Sequence, residues 1–131
     1  MSLLRDDSRW PMVVDTSSGH VADEDVRRYN DARAERLART ERHVQVMDGR
    51  SGMRMTPRHR RMITAFDRQN RDAQQRYLAG VALVTTSPAL RIVLTAIYRL
   101  TRSVCPRKAC RSLDEAAAWA RCLLGDSPAR R

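Results

Sequence analysis

No run of eighteen apolar residues occurs in this 131-residue sequence, so a membrane-crossing helix is not expected. The first twenty residues carry Arg5, Asp6, Asp7 and Arg9 where a secretory leader needs an uninterrupted apolar stretch, which leads to the expectation of a cytoplasmic protein. Cysteine is scarce: Cys105, Cys110 and Cys122 form neither a C-x-x-C pair nor an even set, so reduced thiols are expected rather than a disulfide framework. Aromatic residues make up 5% of the chain, with a single Phe, which leaves no evident platform for stacking nucleic-acid bases. Lysine is nearly missing; Lys108 is the only one among 25 cations.

What the sequence does have is enough apolar residue, 42%, to build one core, and 31% charged residues to keep that core's exterior solvated. The formal net charge is +10, unevenly placed. Residues 1–40 hold seven Arg against eight carboxylates, residues 41–76 nine against four, and residues 77–131 nine cations against three. A basic surface of this kind attracts polyanions, acidic proteins and anionic lipid alike, and so does not select among them.

The order of local signals is β-α-β-α-β-α-β-α. Trp10 to Asp15 reads as a short strand with Pro11 near its start, and Thr16-Ser17-Ser18-Gly19 as the turn after it. Residues 21–40 read as a helix, with Asp23, Glu24 and Asp25 in a first turn whose dipole favours carboxylates. His43 to Met47 alternates as a strand, and Asp48-Gly49-Arg50-Ser51-Gly52 reads as a closing loop. Thr56-Pro57 starts a second helix, running to about Gln75, with Thr56 as cap. The apolar run from Gly80 to Thr86 is the expected central strand. Ser87-Pro88 opens a third helix with the stripe Leu90, Val93, Leu94, Ile97 and Tyr98; residues 104–111 are a weak strand; and Ser112 to Glu115 is a capping box for a last helix carrying Ala116, Trp119, Ala120 and Leu123. Trp10, Phe66 and Trp119 occupy positions that suit a core.

Strands separated by helices of this length join most simply as right-handed crossovers into a mainly parallel sheet. The expected class is α/β, with four or five strands and about four helices. Residues 9–125 are expected to form the domain, residues 1–8 a flexible N-terminus and residues 126–131 a flexible basic tail.

Chemistry has few footholds. Asp48-Gly49-Arg50-Ser51-Gly52 lacks the Lys-Ser/Thr of a P-loop and the third Gly of a dinucleotide fingerprint. His20, His43 and His59 follow no metal-ligand spacing, and no Gly-x-Ser-x-Gly elbow or Cys/His signature appears. No catalytic residue, metal ligand or cofactor is expected. A basic patch of Arg58, Arg61, Arg91, Arg99 and Arg102 is the one surface that suggests an alternative role, binding nucleic acid or an anionic membrane surface.

Four segments, in order, carry a likeness to a known family: Ser8 to Val14; Val46-Met47-Asp48 ahead of Thr56-Pro57; Gly80 to Arg91 with Leu94-Thr95-Ala96-Ile97; and Glu115-Ala116 with Ala118-Trp119-Ala120. From about residue 8 to 124 the chain resembles uncharacterised bacterial proteins with a STAS-like fold, the fold of sulphate-transporter and anti-sigma-factor-antagonist domains. The resemblance implies a small α/β domain that works by docking to other proteins; apart from it, a homo-oligomer is a further partner candidate. In better-known members a Ser at the start of the second helix is phosphorylated by a partner kinase. The matching position is Thr56, eight residues after Asp48, but the Asp-Ser-Ser-Gly pattern is absent and Pro57 follows directly. A helix cap explains Thr56 without phosphorylation, and Ser51 is a looser candidate. The reading is a non-enzymatic interaction or regulatory module with an unnamed partner.

Overall fold

The computed structural model describes residues 3–125, so the expected tail 126–131 lies outside the described residues. One five-stranded sheet runs β1 (Leu3–Asp6), β2 (Met12–His20), β3 (His43–Arg54), β4 (Leu78–Val84) and β5 (Arg107–Cys110), neighbours in space as in sequence. β1 is antiparallel to β2, and the other pairs are parallel. The helices are α1 (Asp23–Ala38), α2 (Pro57–Gln69), α3 (Arg71–Tyr77), α4 (Pro88–Leu100) and α5 (Leu113–Leu123).

Several expectations are corrected. Residues 3–6, expected within a flexible N-terminus, are an edge strand: Leu3 is buried, and Arg5 is tied to Asp7 and to Glu35 of α1. Thr16 to Gly19 and Asp48 to Gly52 are not turns but the far ends of β2 and β3, which stay paired through Ser18↔Ser51 and His20↔Arg54. Gly19 and Gly52 take positive φ, 67° and 91°, where the register shifts, and buried Ser17 donates through Oγ to the Gly52 carbonyl at 3.0 Å. Glycines that read as turn formers are bulge formers here because each strand supplies the other's hydrogen bonds. The middle strand is β3 rather than β4; its Gln45, facing α1, concealed a strand covered on both faces. The helix expected over 56–75 breaks at Asn70, whose Nδ2 donates to the Phe66 carbonyl at 2.9 Å, giving five helices rather than four.

The alternation of β2 and β3 sorts side chains between two layers. Met12, Val14, Val44 and Val46 join Ala82, Val84 and Cys110 under α5, whose Ala116 and Ala120 are buried. Trp119 is half-buried and lies over β4 at Gly80, where a Cβ would run into Leu123 and sit 2.9 Å from the Trp119 ring. Trp10 is half-buried at the rim rather than in the core, stacked on His43 with Arg39 over its face. On the opposite layer, Val21, Val26 and Met47 pack with Met62 and Ile63 of α2.

That second layer also buries charge. Arg36 of α1, its side chain 1% exposed, meets Asp15 of β2 with two hydrogen bonds of 2.7 and 2.8 Å and Asp7 with two of 3.1 and 2.7 Å. Gln45 donates to Asp15 at 3.3 Å and also to the Tyr29 hydroxyl. Arg33 pairs with Asp67 of α2 and lies over the Phe66 ring, 4.2 Å from its centroid, while Gln74 of α3 donates to Asp67 at 3.0 Å. Burial works against the Arg36 charge, but Asp15 and Asp7 outweigh it and hold the guanidinium firmly protonated.

Arg36→Ala leaves Asp15 buried without its counter-charge and is expected to destabilise by about 3–5 kcal/mol in urea unfolding. The acid limb gives a second readout. Partial burial favours neutral Asp7, but hydrogen bonds from Arg5 and Arg36 prevail and lower its pKa from 3.8 to about 2. A carboxylate depressed in this way stabilises the fold above its unfolded pKa and loses that contribution as pH falls from 3.8 towards about 2. Arg36→Ala therefore flattens the fall of stability with pH in that window; an unchanged slope shows that the pair with Asp7 contributes nothing.

Candidate functional site

The junction of β3 with α2 holds the residues that the sequence singled out. Thr56 is extended, with φ −79° and ψ 164°, and its Oγ1 accepts the His59 N–H at 3.2 Å. His59 stands at the third helical position and returns the bond: its Nδ1 accepts the Thr56 N–H at 3.2 Å. With Nδ1 as acceptor, Nε2 carries the proton and donates to Asp23 Oδ1 at 2.7 Å. Arg58 Nε donates to Asp23 Oδ2 at 3.1 Å. Hydrogen bonds from His59, then the charge and hydrogen bond of Arg58, keep the Asp23 carboxyl below its ordinary range.

The arrangement is a capping box in which His takes the part usually played by Glu, and it staples the first residue of α1 to the first turn of α2. Both polar ends of the buried His59 ring are thereby used. The Thr-x-x-His spacing was visible in the sequence, but the Asp23 partner lies 36 residues away.

Asp48 and Ser51 lie upstream on β3. Asp48 is buried and held by Arg50 through bonds of 2.9 and 2.8 Å, with the Arg50 N–H at 3.2 Å. The Arg50 hydrogen bond dominates and lowers the Asp48 pKa, so this carboxylate is already engaged. Ser51 is exposed, on the strand paired with Ser18.

The five arginines of the expected basic patch divide. Arg58 binds Asp23, and Arg91 donates to the Thr85 carbonyl at 2.8 Å, closing the end of β4. Arg91 and Arg99 line a groove of about 950 Å³ between α4 and the β5–α5 segment. Arg102 lines a different groove, of about 1080 Å³, between α2–α3 and α4. Arg61 is exposed on α2. The other cations of the second groove, Arg60, Arg68, Arg71 and Arg107, fall within the Arg-rich stretches 54–76 and 91–111 that the sequence offered as a basic face, but were not among the five singled out.

Helix α4 departs most from expectation. Pro88 and the Ser87 cap start it as foreseen, yet none of its residues is buried. Leu90, Ile92, Val93, Ile97 and Leu100 are 42–88% exposed. The reason is what lies beneath the helix: α4 packs mainly on β5, a strand of four residues at the sheet's last edge, and among the described residues on no second strand or helix that could cover its other sides. The stripe has too little sheet to cover.

Burial pushes the Cys110 thiol up to about 11 and raises Cys105 as well, the opposite of what a thiolate nucleophile or ligand needs. Among the described residues, no group of three His, Cys, Asp or Glu is placed to hold a metal ion, and no helix is long and apolar enough to cross a membrane.

No protein-family model and no curated protein matches the sequence. Solved structures match the fold. An uncharacterised protein of the DUF3478 family from Shewanella loihica, described as having a SpoIIAA-like fold, superposes with a TM-score of 0.69 at 12% identity over 90% of this chain and 91% of its own. An anti-sigma factor antagonist from Mycobacterium paratuberculosis superposes with a TM-score of 0.54 at 16% identity over 91% and 92%. The fold is STAS-like, as the sequence resemblance implied.

Thr56→Ala, which removes the cap oxygen, is expected to cost about 1 kcal/mol in thermal or urea unfolding, while Thr56→Ser retains stability to within a few tenths. A neutral Thr56→Ala would show that the box does not hold the start of α2.

Proposed function

We propose that this chain is a non-enzymatic regulatory module of the cytoplasm that docks a protein partner through the face carrying α4. The observation that supports this reading is the exposure of α4, where five large apolar side chains, Leu90, Ile92, Val93, Ile97 and Leu100, stand in solvent on a domain with an otherwise well-formed core. Likeness to an anti-sigma factor antagonist, whose name describes action on another protein, points the same way. We read Thr56 as a helix cap rather than a phosphate acceptor, since the His59 N–H bond to its hydroxyl and Pro57 at the first helical position already account for the residue. Ser51 and Asp48 belong to the strand that leads into that cap.

Ile92 and Leu100 are 72% and 88% exposed, so Ile92→Asp and Leu100→Asp are expected to leave folding intact. Used as bait in cells of the source organism, the native chain is expected to retain a defined partner that the double variant loses, with unfolding midpoints of the two baits unchanged. Equal retention by both removes α4 from the docking surface. For the cap, intact-mass spectrometry of the protein from its own cells is expected to show no phosphate, and a stoichiometric phosphate on Thr56 or Ser51 reverses that assignment.

A further inference from the structure

We infer that the groove between α2–α3 and α4 receives an acidic amphipathic helix of the partner. This rests on the docking role proposed above and adds the chemistry of what docks. The groove's rim is set by Arg60, Arg68, Arg71, Arg102 and Arg107, all of them exposed. Among the described residues none of these five has an ion pair within 4 Å, whereas all four arginines of α1 do. The groove's one carboxylate, Asp67, is engaged by buried Arg33 and by Gln74. Five guanidiniums thus stand around the groove with their local counter-charge already committed.

The floor is of the opposite character. Met55, Ile63, Ile97, Tyr98 and Val104 are half-buried or exposed there, continuous with the uncovered stripe of α4. An apolar floor between two cationic walls matches a rod that is apolar on one side and carries carboxylates along its flanks, the pattern of a helix laid in a groove. Guanidinium forks favour carboxylates by paired hydrogen bonds, which adds orientation to charge. The alternatives fit less well. A second copy of this +10 chain would bring like charge to the rim. Cations that converge on a concave floor do not match a flat bilayer, and Tyr98 alone offers no stacking platform for bases.

The test uses the full chain and a synthetic helical peptide of about 18 residues, long enough to hold helix on binding, with Leu at i, i+3, i+4 and i+7 and Glu on its flanks. Its partner in the comparison is a scrambled peptide of the same composition without the apolar stripe. At an ionic strength of about 0.15 M, fluorescence anisotropy is expected to show the amphipathic peptide binding at least about tenfold more tightly than the scrambled one. Arg68→Glu with Arg102→Glu, both exposed and without an ion pair, is expected to keep the unfolding midpoint, to abolish that preference by weakening binding about tenfold or more, and to create binding of a Lys-flanked version of the peptide. Equal binding of the scrambled peptide, indifference to the charge reversal, or displacement of the peptide by phosphatidylglycerol vesicles or duplex DNA at lower concentration each overturns the inference. Partner capture separates the two readings. A partner lost with Ile92→Asp and Leu100→Asp but kept by Arg68→Glu with Arg102→Glu preserves docking and rejects this groove chemistry, whereas no partner for the native chain rejects the docking role itself.

Discussion

The buried pair of Arg36 with Asp15 sets the position of nearly everything that follows it. Removing two charges from water is costly, and the cost is offset only where geometry is good and remaining donors are satisfied. Here Asp15 takes both ends of the guanidinium fork, Asp7 takes the other side, and Gln45 adds a bond to Asp15. Arg36 thereby ties α1 to β2 and to the segment after β1, and Gln45, through the Tyr29 hydroxyl, ties it to β3, which fixes the rotation of α1 on the sheet. An apolar interface would allow some sliding; a forked ion pair does not.

From that placement the helix starts line up. Fixing α1 puts Asp23 at the point where His59 and Arg58 reach it, and so fixes the first turn of α2 and the Thr56 cap. Arg33, two-thirds of the way along α1, does the same for the far end of α2 through Asp67 and Phe66. The α1–α2 layer is therefore pinned by polar contacts at both ends. Helix α4 has no comparable anchor: Arg91 ties its first turns to the Thr85 carbonyl, and the rest lies over a four-residue strand. The rigid and the uncovered parts of this face adjoin along the Arg-rimmed groove.

Much of the architecture could be read from local signals. Caps at Thr56, Ser87 and Ser112 and prolines at 57 and 88 marked three helix starts, and each cap bond is present. The β-α alternation pointed to a mainly parallel sheet, which is observed. The candidate site was legible only in part. Thr56 was recognised as a cap, but its link through His59 to Asp23 was not, and the arginines chosen for a single patch divide between two grooves and two structural bonds. Periodicity finds which residues share a helix face; it does not say what another element sets against that face.

The sequence by itself determined the class of fold, the helix starts and the strand cores, because caps, proline and short-range periodicity act within a few residues of each other. Tertiary structure alone decided the rest, for reasons of distance and partnership. Leu3 to Asp6 became a strand because β2 offered it an edge, and Ser17 to His20 stayed paired, bulged at Gly19, because Ser51 to Arg54 ran beside them. Arg36 could be buried because Asp15, 21 residues earlier, met it inside. The apolar stripe of α4, spaced as a core face should be, was covered only in part, at Leu94 and Tyr98, because the sheet ended beneath it.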